Sequence, residues 1–219
     1  MTLPERSLGM KHLDLFSGIG GFALAARWSG IETVAFCENN DFCRDVLRKH
    51  WPGRPVYRDI KELDGEQLQS DEISADVITG GFPCQPYSVA GDRGGKEDDR
   101  HLWPEMLRIV REMEPSWVVG ENVRGIIDME LDQVLSDLED SGYSCGTFII
   151  PACAVDAPHK RERVWIIADS NGKGLQVPDQ EKQKGKNWKL ERSGSCGLSG
   201  WPPEPGILRI SHGVPQRVD

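Results

Sequence analysis

The sequence predicts an α/β protein on a mostly parallel sheet, and three observations carry that expectation. Short apolar runs alternate with helix-like stretches through residues 12–140, and a glycine-rich turn joins the first run to the first helix. Two later runs, 143–150 and 163–168, are separated by a loop too short for a crossover helix. Alternating strands and helices cover both faces of a parallel sheet, whereas strands joined by a short loop pair antiparallel.

The elements follow in order. His12-Leu-Asp-Leu-Phe16 reads as the first strand, Ser17-Gly-Ile-Gly-Gly21 as the turn and Phe22 to Ser29 as the first helix. Thr33-Val-Ala-Phe-Cys37 is the second strand and ends at Glu38; Asn40 or Asp41 caps the next helix, which carries Val46 and Leu47. Val56-Tyr57 leads to Asp59, and Ala75-Asp-Val-Ile-Thr79 is a further strand. A helix from about 102 to 113, the strand Trp117-Val-Val-Gly120 and a helix around 131–140 complete the parallel part. From Asp169 the composition turns to Gly, Lys, Gln, Ser and Pro, with Trp188 and Trp201 as isolated aromatics. We therefore expect one folded domain over residues 1–168 and a short, irregular, partly basic segment over 169–219.

Composition narrows the class. A chain of 219 residues, 38% hydrophobic and 28% charged, suits one ordinary globular domain. No apolar run approaches a membrane span and the first ten residues hold no secretory signal, so a cytoplasmic protein without membrane association is expected. Six cysteines without a C-x-x-C pair argue for reduced thiols rather than a zinc ribbon or a disulfide framework. No metal is expected. The net charge of −9 is unusual for a nucleic-acid binder, but it is unevenly spread: residues 1–158 carry 15 basic and 28 acidic side chains, and 159–219 carry 11 and 7.

Two stretches point to chemistry. Gly18, Gly20 and Gly21 follow a strand and open a helix, so the backbone there can turn tightly and approach a ligand. Glu38 ends the next strand, where a carboxylate commonly accepts ribose hydroxyls. The spacing does not complete a G-x-G-x-x-G phosphate clamp. Asp59, at the end of the third strand, suits an acceptor for an adenine amino group or an exposed turn. In Gly80-Gly-Phe-Pro-Cys-Gln-Pro-Tyr-Ser88 a cysteine stands between two prolines just after a buried strand, which constrains where its thiol lies.

Taken together, Asp14-Leu-Phe-Ser-Gly-Ile-Gly-Gly21, Gly81-Phe-Pro-Cys-Gln-Pro86, Glu121-Asn-Val123 and Lys160-Arg-Glu-Arg-Val164 resemble the motifs of the DNA (cytosine-5)-methyltransferase family in type, order and approximate spacing. The resemblance covers about residues 11–168. It implies a Rossmann-like S-adenosylmethionine-dependent methyltransferase fold with an antiparallel hairpin at its end, and double-stranded DNA as the partner. It assigns Cys84, Glu121, Arg161 and Arg163 to catalysis, and Phe16, Gly18, Gly20, Gly21, Glu38, Asp59 and Pro83 to S-adenosyl-L-methionine. Gln85, Ser88 and Asn122 are assigned to the substrate side, Asn122 bracing the loop. The 90–100 segment, with its three glycines, would close over a flipped base.

Two departures accompany the resemblance. His159 stands where the family often has Gln, and the family's closing segment is not recognised beyond Gly213-Val-Pro-Gln-Arg-Val218. The expectation is a monomer whose cofactor pocket is weakened unless a separate C-terminal chain completes it. The alternatives are an RNA methyltransferase of the same superfamily and an inactive or split-subunit fragment.

Overall fold

A computed structural model describes residues 8–83 and 102–170. Its seven-stranded sheet runs in the order β3-β2-β1-β4-β5-β7-β6. In chain order the elements are β1 (Lys11–Leu15), α1 (Gly21–Trp28), β2 (Glu32–Cys37), α2 (Asp41–His50), β3 (Val56–Tyr57), α3 (Gly65–Ser70) and β4 (Val77–Gly80). They continue with α4 (Trp103–Met113), β5 (Trp117–Val123), α5 (Ile126–Met129), α6 (Leu131–Asp140), β6 (Ser144–Pro151), a 3-10 turn (Ala152–Val155) and β7 (Glu162–Asp169). The first five strands pair in parallel, and β7 pairs antiparallel with both β5 and β6, as the short connection requires.

The chain first builds β1, β2 and β3 outward, then returns to lay β4 on the other side of β1. That reversal is a topological switch point, where open α/β sheets bind ligands beyond the carboxyl ends of their strands. It brings the turn after β1 beside the segment after β4.

The two faces differ. Leu13, Leu15, Ile78, Val118 and Ile166 join Leu68, Met106, Ile109 and Val134 in the main core. Ala23, Phe36 and Leu47 form a smaller cluster on the α1 and α2 side, with Trp51 and Val56 against it. In β5 burial alternates, so Val118, Gly120 and Asn122 point into the protein while Val119 and Glu121 face a half-open surface. Glu121 was expected just after a strand ending at Gly120; β5 instead runs to Val123, because Glu121, Asn122 and Val123 pair with Trp165, Val164 and Arg163.

The run His12-Leu-Asp-Leu-Phe16 is less apolar inside than its pattern suggests, since His12 and Asp14 are both fully buried. Each meets partners on neighbouring strands: the His12 ring bonds the hydroxyls of Thr33 (2.9 Å) and Thr79 (2.8 Å), and the Thr79 hydroxyl donates to Asp14 (3.0 Å). Burial pushes Asp14 up to about 8, against the pull of the Thr79 hydroxyl and the Ala23 amide, and pushes His12 down to about 4. The network is thereby largely uncharged at neutral pH, the state in which buried polar groups cost least.

Candidate active site

The turn after β1 is shaped by left-handed backbone. Phe16 has φ 53°, unusual for a side chain with a Cβ, and Gly18 and Gly20 have φ 53° and 89°. Ser17 secures the turn through its hydroxyl, which donates to the Asp14 carbonyl at 2.6 Å. Gly20 is needed twice over, because a Cβ there would lie 2.5 Å from the Trp51 ring. Gly21 differs: it opens α1 without positive φ, and a Cβ there would meet nothing within 4 Å.

These facts make Gly20→Ala a direct test of the turn. The left-handed conformation and the clash should together cost about 2–4 kcal/mol, unless the Trp51 ring moves aside. A thermal unfolding midpoint within a degree of wild type would show that the turn does not need glycine.

Glu38 lies at the end of β2 with its carboxylate already oriented. Gly18 N–H donates to one oxygen (2.7 Å) and Asn40 N–H to the other (2.8 Å). Phe16, Glu38, Asn39, Asp59, Ile60 and Leu102 line one cleft. One oxygen of Asp59 accepts from Lys61 N–H (2.9 Å), closing a local turn, while the residue also borders that cleft. Of the two candidate caps of α2, Asn40 takes the role, accepting from Cys43 N–H (3.1 Å), whereas Asp41 pairs with Arg44.

Arg58 and Lys61 also line the cleft, but at the glycine turn the groups present fit S-adenosylmethionine better than a dinucleotide. A carboxylate occupies the Gly18 amide that a pyrophosphate would need, and it would repel that anion. Carboxylates facing a cleft with apolar edges suit ribose hydroxyls and an adenine amine.

The second half of the site lies where β4, β5 and β7 meet. Phe82 is buried, packs on Trp103 with ring centroids 5.0 Å apart, and accepts at its carbonyl from the Asn122 side chain (3.0 Å). The Asn122 side-chain Oδ1 accepts from Val123 N–H (2.9 Å), so this amide is engaged within the protein. It contacts the backbone just ahead of Pro83 rather than facing open space. Glu121 pairs with Arg163 at 2.7 Å, and one of its oxygens is 3.4 Å from the place of a Cβ on Gly81. Burial holds the Glu121 carboxyl above its ordinary range, while Arg163 and Arg161 pull the other way. Arg161 has φ 32° and lines an open, mostly apolar groove with Arg163, Trp165, Ile150 and Val155. Phe22 of α1 meets Trp165 edge-on, with centroids 5.8 Å apart, linking the glycine turn to the hairpin.

The structure thus brings Phe16, Gly18, Gly20 and Glu38 to one end of the switch point and Glu121, Arg163 and Asn122 to the other. Cys84, Gln85, Ser88, the 90–100 loop and the segment from 171 onward lie outside the described residues. Sequence reasoning missed Arg124, which with Lys160 clamps Glu162 (2.9 and 3.2 Å) beside the two arginines. It also missed the His12, Thr79 and Asp14 network, although two polar residues alternating within a strand pattern were a visible signal.

Comparison with known proteins shows the family and the fold. Residues 10–196 match the family model described as C-5 cytosine-specific DNA methylase. The chain is 29% identical over 240 residues to the type II methyltransferase M.AquIA of Picosynechococcus, covering 95% of this chain and 97% of that one. It is 36% identical over 171 residues to M.PspPI of Psychrobacter, covering 75% of this chain but 40% of the relative. Among solved structures, S. pombe Dnmt2 methyltransferase shares the fold with a TM-score of 0.66 at 22% identity, over 83% of this chain and 58% of that one. No helix among the described residues is long and apolar enough to cross a membrane. With the family's model spanning most of its length, the chain belongs to the C-5 cytosine-specific DNA methylases.

Proposed function

We propose that the protein transfers a methyl group to C5 of a cytosine flipped out of double-stranded DNA, as a type II modification enzyme acting in the cytoplasm as a monomer. The observation that carries this reading is the meeting of an oriented glutamate, Glu121, with Arg163 at the switch point that also holds the Glu38 cleft.

In this reading the Cys84 thiolate adds to cytosine C6, which makes C5 electron-rich enough to attack. Bound S-adenosylmethionine supplies the methyl group. Phe16, Glu38 and Asp59 hold its adenosine, with Gly18 and Gly20 shaping the turn beneath and Pro83 bordering the cofactor. Glu121 faces cytosine N3 and its amine, and a carboxyl raised by burial is suited to lend N3 a proton as negative charge enters the ring. Arg163 orients Glu121 and reaches toward cytosine O2, with Arg161 beside it. Loss of the C5 proton to solvent, with the N3 proton returned to Glu121, then expels the Cys84 thiolate and restores the C5–C6 double bond. Gln85 and Ser88 contact the DNA backbone.

The test is transfer of labelled methyl groups by the 219-residue chain to duplex DNA and, separately, to transfer RNA, with bisulfite sequencing of the DNA product. Label in cytosine of duplex DNA supports the reading. Label in transfer RNA alone would replace it with the RNA enzyme.

A further inference from the structure

Arg44 stands where the packing of α2 calls for an apolar residue. With Leu47 it forms the buried stripe of the helix: Arg44 is 6% exposed, while Asp41, Phe42 and Asp45 on the same turn face solvent. Arginine is among the residues least often buried, and a cation in the first turn of a helix opposes the helix dipole. A leucine there would avoid both penalties, so the stability of α2 does not account for the choice.

The guanidinium's contacts do. One terminal nitrogen, Nη1, donates to the carbonyl of Asn39 (2.6 Å) and to that of Glu38 (3.1 Å). The other, Nη2, pairs with the Asp41 carboxylate. Arg44 therefore grips from behind the backbone whose front face bears the Glu38 carboxylate. That residue is also held at its amide, which donates to the Tyr57 carbonyl (3.0 Å), and at both carboxylate oxygens by Gly18 and Asn40. Side chain and backbone are fixed together.

We infer that Arg44 is a positioning residue for S-adenosylmethionine: it holds the Glu38-Asn39 backbone in the one arrangement in which the Glu38 carboxylate meets both the glycine turn and the ribose. The inference rests on the assignment of Glu38 to the ribose. Arg44 touches no cofactor atom in this account and acts wholly through Glu38. Without it two carbonyls lose their donors, the turn gains freedom, and that freedom must be lost again whenever cofactor binds.

The experiment is calorimetric binding of S-adenosylhomocysteine to the full chain as wild type, Glu38→Gln, Arg44→Met, Arg44→Lys and Glu38→Gln/Arg44→Met, with thermal unfolding of each to set the folded fraction. Arg44→Met fills the same space without donors, and its Kd should rise about tenfold, equivalent to about 1.4 kcal/mol. Arg44→Lys retains a cation and some donors and should fall between. Because both residues act on one contact, the double variant should bind no more weakly than Glu38→Gln alone. In turnover assays the KM for cofactor should rise with Kd while the KM for DNA stays put. Wild-type affinity in folded Arg44→Met, or in Arg44→Lys should the methionine variant not fold, would overturn the inference while leaving the ribose assignment standing. So would simple addition of the two losses. Wild-type affinity in Glu38→Gln would remove the ribose assignment itself.

Discussion

Cys84→Ser is expected to reduce methyl transfer by at least about 10⁴-fold, with cofactor and DNA binding retained. The reason lies in the nucleophile. Cytosine C5 takes a methyl group only after electrons are pushed in at C6, and a serine hydroxyl is almost never ionised near neutral pH whereas a thiol is ionised to a useful extent. A duplex carrying 5-fluorocytosine separates chemistry from binding. Fluorine at C5 cannot leave as a cation, so the last elimination is blocked and the Cys84–C6 bond persists. Wild-type protein should then give a denaturation-resistant protein–DNA adduct when cofactor is present, and Cys84→Ser none. Near-normal turnover by the serine variant, or an adduct mapped to another residue, would dismiss the covalent route.

Glu121→Gln carries the second large effect. The amide keeps the shape of the side chain and one acceptor oxygen for Arg163, but it cannot hand a proton to cytosine N3. A loss in kcat on the order of 10²–10⁴-fold follows if proton transfer is its task. Stability should respond little. Because burial raises Glu121 in the folded protein, the native state holds this proton more tightly than the unfolded chain does. Its contribution is therefore present at acid pH and lost as pH rises through the raised value. Above that value the wild-type carboxylate is penalised by burial and partly compensated by Arg163, and glutamine removes both effects. The pH profile of kcat should correspondingly lose the limb that reports Glu121. A large fall in melting temperature with activity per folded molecule retained would make Glu121 a structural partner of Arg163 and nothing more.

Much of the fold was legible because strands buried on both faces announce themselves. Thr33 to Cys37 and Val77 to Thr79 are apolar or β-branched almost without interruption, and both are central strands. The short helices α3 and α5 were not read, having six and four residues and too few turns for an apolar period to show. The length of β5 was also hidden, since Glu121 and Asn122 carry no strand propensity and are held there by pairing with β7.

The sequence by itself determined the order of strands and helices, the antiparallel character of the last pair, the glycine turn and the residues at which each motif stands. All of these are local patterns, written in neighbouring residues. Only the tertiary structure decided that β1 lies between β2 and β4, and so that the Glu38 cleft opens beside Glu121. Only it showed His12 and Asp14 buried in a network with Thr79, which lies 67 residues from His12, and Arg163 paired with Glu121. The physical reason is common to all three. Which strand neighbours which, and in what register, is set by burying the whole core at once, and no local period records the partner that a polar side chain meets on another strand.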